Sequence, residues 1–340
     1  MLKNKNILLI SVQFFEYEKL IKEQLEHLGA QVDYYDERPS NSFFSKAIIR
    51  IKKNMYTRQI NKYFAKIIEE IRTKSYDYFL LIKGEATPKF FLEFLRSNNP
   101  KIRLIFYTYD SFKNNSSAWD ILEYFDSKFS FDRLDTFKYN MRFRPLFFVK
   151  KYNKIYNLKK DLKYDLTFIG TAHSDRYTIS EWVKNWCNER GLKMFNYYFS
   201  PSKLLFRYKK MTDPNFKHIQ RSCISFRSLS HDDVIEIYKR SKIILDINHP
   251  DQSGLTMRTF ETLGSGRKLI TTNPNIKHYP FFSPENIYIL NRDNPVLLDD
   301  FFKSDFKVIP SDILHMMSLE GWIEDVFDLN EADNWKDVNI

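Results

Sequence analysis

Short apolar runs alternate with amphipathic stretches along nearly the whole chain, and no other feature restricts the fold as tightly. An apolar run of this length, closed by polar residues, suits a strand covered on both faces, and the amphipathic stretches suit the helices that cover it. Repeated strand–helix units build a parallel sheet wrapped by helices. Strands are expected at about 6–12, 31–35, 77–82, 102–107 and 127–131, with helices near 16–28, 45–72, 88–97 and 116–125. The stretch 138–163, basic and aromatic with Pro145 inside it, lacks periodicity and reads as a linker. The alternation then restarts with a strand over 165–169 ending at Gly170, a helix near 175–190 and a strand near 192–197. After an irregular basic region, Ser230 caps a helix with Asp232 and Asp233 in its first turn. Strands at 242–247, 267–271 and 287–290 follow, with a helix starting at about 255.

One hydrophobic core rarely serves 340 residues, so the two series read as two domains, 1–150 and 151–310, followed by a helical, acidic segment over 311–340. That segment offers Met316, Met317, Trp322, Ile323, Val326 and Phe327 for packing, either back on the first domain or as the closing helix of the second. The expected class is α/β, with two Rossmann-like domains facing across a cleft. Ligands of such sheets bind beyond the carboxyl ends of the strands. Two of those tips carry charge: Lys83-Gly84-Glu85 after Phe79–Ile82, and Thr108-Tyr109-Asp110-Ser111 after Leu104–Phe106.

The net charge of +10 admits nucleic acid, an anionic membrane surface or phosphate-bearing substrates as partners. Between Phe43 and Lys66 the cations Lys46, Arg50, Lys52, Lys53, Arg58 and Lys62 occur with no acidic residue, interleaved with apolar and aromatic side chains. Such a stretch suits peripheral contact with an anionic bilayer, and equally a solvated helix face. No nucleic-acid-binding module is present in the sequence, so nucleic acid is not expected. The two cysteines, Cys187 and Cys223, form no metal-type or redox spacing and fit a reducing cytoplasm. Ile7–Ile10 reads as a first strand and not a signal peptide, and no uncharged apolar run approaches the ~18 residues that span a bilayer. The expected location is cytoplasmic, with any membrane contact peripheral on the inner face.

The most informative segment runs Ile244-Leu245-Asp246-Ile247-Asn248-His249-Pro250, then Ser253-Gly254-Leu255-Thr256-Met257-Arg258-Thr259-Phe260-Glu261-Thr262-Leu263-Gly264-Ser265-Gly266. It reads as strand, small polar loop, helix and tight glycine turn. Gly254 admits close approach of a ligand, and the helix start at Leu255–Met257 offers free N–H groups to a phosphate. Arg258 supplies a cation for a pyrophosphate. Glu261, one turn on, could accept hydrogen bonds from a ribose diol; alternatively Arg258 and Glu261 form an exposed i, i+3 pair.

At these residues the chain resembles the donor-binding half of GT-B glycosyltransferases, particularly bacterial surface-polysaccharide enzymes and CgeB-like proteins, and more distantly glycosyltransferase family 4. The resemblance implies that the helix over 254–264 holds a nucleotide sugar's pyrophosphate at its start and that Glu261 binds the ribose. The E-x7-E pattern of that family is broken, because Ser253 stands where the first glutamate belongs. Phe168-Ile169-Gly170-Thr171-Ala172-His173-Ser174-Asp175-Arg176-Tyr177 resembles the opening strand and loop of the donor domain. The implied donor-binding set is therefore Gly170, Thr171, His173, His249, Ser253, Gly254, Leu255, Thr256, Arg258 and Glu261. The implied activity is sugar transfer to a lipid-linked or surface-polysaccharide acceptor; a non-catalytic module binding a sugar nucleotide or glycan is the rival.

Deprotonating an acceptor hydroxyl needs a carboxylate within hydrogen-bond reach, and Glu85 and Asp110 are the candidate bases, with Glu16 a third. Either of the first two could instead cap the following helix. No cofactor and no metal are expected. D-x-D and His/Cys ligand spacings are missing from the sequence, and no glycine fingerprint follows the first strand.

Overall fold

The computed structural model describes residues 2–41, 56–113, 116–158, 161–172, 174–217, 219–330 and 334–338. The chain divides into two compact units: one runs to Pro145 and takes the chain in again from Leu319, and the other spans Leu146–Ser318.

The first unit holds a six-stranded sheet in the order β2-β1-β3-β4-β5-β6, all neighbours parallel. Its strands are β1 (Asn6–Ser11), β2 (Gln31–Asp36), β3 (Tyr78–Ile82), β4 (Arg103–Thr108), β5 (Ser127–Ser130) and β6 (Arg142–Phe143). Ile7 to Ile10, Phe79 to Ile82 and Leu104 to Phe106 are all 0% exposed, which explains why these strands read as unbroken apolar runs. The helices are α1 (Tyr17–His27), α2 (Thr57–Ile71), α3 (Lys89–Asn98) and α4 (Arg133–Tyr139). α2 turns Ile60, Phe64, Ile67 and Ile71 into the core, where Phe64 meets Phe91 of α3. Phe64 is therefore unavailable to lipid, and over 56–66 Arg58, Lys62 and Lys66 are exposed around a buried stripe. Lys46, Arg50, Lys52 and Lys53 lie outside the described residues.

The second unit repeats the plan in the order β12-β11-β10-β7-β8-β9, again all parallel. Its strands are β7 (Tyr164–Thr171), β8 (Met194–Phe199), β9 (Ile224–Ser225), β10 (Ser241–Asp246), β11 (Lys268–Thr271) and β12 (Ile287–Ile289). The helices are α5 (Lys150–Asn153), α6 (Arg176–Glu189), α7 (Lys203–Thr212), α8 (His231–Lys239), α9 (Met257–Gly264), α10 (Asp299–Lys303) and α11 (Ser311–Met316). Counted within the unit, this is the 3-2-1-4-5-6 order of a dinucleotide-binding sheet, whose order reverses between β7 and β10. Ser230 caps α8 in a full capping box with Asp233, as the sequence suggests.

The stretch expected as a linker is largely structural. It supplies β6 to the first sheet, and beyond Pro145 it packs on the second unit, where Phe148 lies against Gly264 and Tyr152 reaches His231. The irregular basic region contains α7. The tail returns to the first unit as α12 (Leu319–Val326). There Trp322 meets Tyr107 edge-on at 4.8 Å, Phe327 meets Tyr78, and Asp325 pairs with the fully buried Arg144 at 2.7 Å.

Candidate active site

In the second sheet the reversal point lies between the carboxyl ends of β7 and β10, and most of the residues singled out in the sequence gather there. Asp246, the last residue of β10, is 4% exposed and accepts hydrogen bonds from Thr256 Oγ1 (2.6 Å) and Thr259 Oγ1 (3.0 Å). This carboxylate seats the start of α9 against the strand tip. Thr256 stands at the N-cap but makes no side-chain cap bond. The first turn of α9 thus lacks a side-chain acceptor from its own cap, and its dipole end favours an anion. The loop before it is fixed from below: Asn273 Nδ2 donates to the carbonyls of Ser253 (3.0 Å) and Gly254 (3.3 Å), and Gln252 Nε2 to that of Gly254. Leu255 is 1% exposed, so its side chain packs in the interior and is not a ligand contact.

Arg258 crosses the reversal point and donates to the carbonyl of Ile169 near the end of β7. Burial opposes its charge, but Tyr238, Asp246 and Glu261 outweigh burial and push its pKa up. Two arginines outside the implied donor-binding set stand with it. Arg176, at the start of α6, has its pKa lowered to about 10 by burial and by the like charges of Arg258 and Arg292, against the pull of Asp246 and Asp175. Arg292 donates to Asp175, to Asn248 Oδ1 (2.9 Å) and to Thr272 Oγ1 (3.0 Å). The Nε atoms of Arg176 and Arg258 are buried with no hydrogen-bond partner among the described residues. An unpaired buried donor costs about 1–3 kcal/mol, more when charged. These two arginines, with Arg292 beside them at the strand end, form a cationic cluster suited to a diphosphate.

Glu261 is 5% exposed, with Oε1 at 3.8 Å from His231 Nδ1. The alternative of a solvated Arg258–Glu261 pair is corrected by that burial. Gly170 and Thr171 end β7, and a Cβ on Gly170 would fall 2.6 Å from the Phe168 ring. His249 is half-exposed, with Nδ1 accepting from the Asp251 N–H at 3.2 Å. His173 lies outside the described residues.

The two carboxylates proposed as bases belong to the first unit. Its sheet order reverses between β1 and β3, and Glu85 and Asp110 follow β3 and β4. The chain leaves β3 through two consecutive positive φ angles, Lys83 at 90° and Gly84 at 72°, which turn Glu85 inward to 1% exposure. Arg38 Nε donates to Glu85 Oε2 at 2.8 Å, and Lys83 Nζ lies 2.9 Å from Oε1. Burial works against ionisation, but Lys83 and Arg38 prevail and hold the carboxyl at about 2. Lys83 also pairs with Asp110 at 2.8 Å, and Asp110 is the exposed end of the chain of charges, at 37%. Glu85 does not provide the N-cap of α3 that the alternative supposed. The N-cap residue of α3 is Pro88, with no side-chain cap, and the Asp110 carboxylate pairs with Lys83. The neighbouring cap-like role falls to Glu37, whose Oε1 accepts from the N–H groups of Ala86 (2.7 Å) and Thr87 (3.0 Å). Glu16 is surface-exposed and paired with Lys19 at 2.8 Å.

No curated protein matches the sequence. Residues 208–303 match a family described as Glycosyl transferase-like. Anabaena Alr3699/HepE, solved in complex with UDP and glucose, superposes with a TM-score of 0.57 at 8% identity, covering 96% of this chain and 99% of that one. An alpha-glucosyltransferase in complex with UDP and a 13-mer DNA gives 0.53 at 13% identity, covering 98% and 92%. The fold is GT-B. The UDP-GlcNAc 2-epimerase from Methanocaldococcus jannaschii superposes at 0.53 and 10% identity, covering 96% of this chain and 100% of its own. One architecture thus serves a transferase and an epimerase, and within the GT-B frame the chemistry has to be argued from the site.

Proposed function

We propose that the chain is a glycosyltransferase that takes a sugar from a nucleotide-sugar donor, with UDP the first nucleotide to test. The observation that supports this reading best is the convergence of Arg176, Arg258 and Arg292 beside the uncapped start of α9. A leaving nucleoside diphosphate develops charge that such a cluster stabilises without a metal. Asp110 is the base for the acceptor hydroxyl, being the exposed member of its ion chain, and Glu85 holds Lys83 in place beside it. The acceptor class is a lipid-linked or surface polysaccharide, as in the bacterial enzymes and CgeB-like proteins the sequence resembles, and the place of work is the cytoplasmic face of the membrane.

The test is calorimetry with UDP, followed by sugar transfer to a lipid-linked acceptor. Arg176→Gln should weaken UDP by about 1.5–3 kcal/mol while the fold survives. Unchanged affinity in the folded variant would remove the arginine cluster from the donor site. Binding of UDP without any transfer would instead support the non-catalytic module. Turnover should persist in EDTA, since the sequence contains no D-x-D pair; loss with chelator and rescue by Mg²⁺ or Mn²⁺ would reverse the leaving-group assignment.

A further inference from the structure

The irregular basic region holds an element whose exposed face has no partner among the described residues. α7 reads Lys-Leu-Leu-Phe-Arg-Tyr-Lys-Lys-Met-Thr from Lys203 to Thr212. Only Phe206 of this helix is buried, and it packs toward Phe216 and Phe226. Leu204, Tyr208 and Met211 are 78%, 64% and 83% exposed. At about 100° per residue these three fall within ~60° of one another and directly opposite Phe206. An apolar stripe turned away from the core is costly in water unless something covers it.

The charges around the stripe say what covers it. Lys203, Arg207, Lys209, Lys210, Lys217 and Arg221 face a single acid, Asp213, between Ser200 and Ser222. Lys209 lies over the Phe216 ring and Lys210 donates to the Ile219 carbonyl, so those two partly serve the fold. Lys203 and Arg207 are exposed and flank the stripe itself. A second exposed apolar pair, Leu134 and Phe137 on α4, lacks this character. It shares its helix with Asp135, and the Arg133 guanidinium sits 4.8 Å from the Phe137 ring.

We infer that α7 is a docking surface for an anionic lipid bilayer, its Leu204, Tyr208 and Met211 side chains entering the interface while Lys203 and Arg207 meet the headgroups. Tyrosine suits that depth, with an apolar ring and a polar tip, and long cationic side chains reach outward to the phosphates. The inference stands on exposure and charge at α7 alone and does not depend on the transferase reading. It also differs in place from the basic stretch at 43–66.

Co-sedimentation of the full chain with phosphatidylglycerol/phosphatidylcholine vesicles tests it, with pure phosphatidylcholine as the neutral control. Binding should appear only with the anionic vesicles and weaken as salt shortens the screening length below about 10 Å. The triple variant Leu204→Ser/Tyr208→Ser/Met211→Ser should lose about tenfold or more in vesicle affinity, and so should Lys203→Gln/Arg207→Gln. Leu134→Ser/Phe137→Ser should bind like the parent. All seven positions are exposed, and melting curves confirm that each variant is folded. Failure of the parent to bind anionic vesicles overturns the proposal. So does parental binding by both α7 variants, which would put the lipid contact elsewhere. Self-association of the parent that the triple serine variant abolishes, with no vesicle binding, would assign the stripe to a second copy of the chain and also overturn it.

Discussion

Asp110 and Glu85 look alike in the sequence, each at a strand tip, and their surroundings separate them. Glu85 is enclosed between Arg38 and Lys83, whereas Asp110 keeps one side open to solvent. Asp110→Asn should lower kcat by about 10²–10⁴ with donor affinity nearly intact. Glu85→Gln should act first on stability, by about 3–5 kcal/mol, because it leaves buried cations unpaired. The pH dependence follows from the sign of the shift: the Glu85 carboxyl sits at about 2 when folded against an ordinary 4.5. Its contribution is therefore complete above pH 4.5 and is lost as pH falls toward 2. Denaturant unfolding of parent and Glu85→Gln should differ by a constant amount at neutral pH and converge in acid. A pH-independent difference would mean that Glu85 is not an ionised partner of Arg38 and Lys83.

At the scale of elements, α9 is held at both ends by neighbours outside its own sequence. Its start rests on Asp246 at the tip of β10, and its end turns on Gly264 and Gly266 against the segment 148–156. Gly266 takes φ +66°, and a Cβ there would fall 2.3 Å from the Tyr156 carbonyl oxygen. Gly191 has nearly the same backbone, φ +68°, but nothing within 4 Å of its missing Cβ. Gly191→Ala should therefore cost about 1–2 kcal/mol for the left-handed backbone alone. Gly266→Ala should cost that plus about 1–3 kcal/mol for overpacking. Equal losses in chemical denaturation would show that the close approach of Tyr156 is not what requires glycine at this turn.

At the scale of the whole molecule, the last described residues complete the first unit although the second unit separates them from it in sequence. Trp322 is 0% exposed, and Asp325 answers a fully buried Arg144. Trp322→Ala should remove about 3–5 kcal/mol, and the loss should appear in the first unit. Limited proteolysis checks this: new cleavages are expected within 1–145 and not within 146–318. Cleavage unchanged from the parent would show that the tail contributes little to that core.

The sequence by itself determined the two sheets and the seat of α9. A strand buried on both faces must be continuously apolar, and a helix between a strand tip and a tight turn must carry its glycines locally, so both leave marks within a few residues. Asp246, Thr256, Gly264 and Gly266 could be placed on that ground alone. The tertiary structure decided which charges meet. Arg38 lies 47 positions from Glu85, and Arg292 lies 117 from Asp175, so neither pairing leaves any local pattern. Arg176, Arg292, Arg38 and Glu37 read as ordinary surface charges until the fold buries them or gathers them at a strand end. The same dependence hid α7, whose apolar residues resemble core by spacing and are shown to be surface only by where Phe206 packs. Periodicity is a property of neighbours along the chain; burial and charge pairing belong to neighbours in space, and those exist only once the chain has folded.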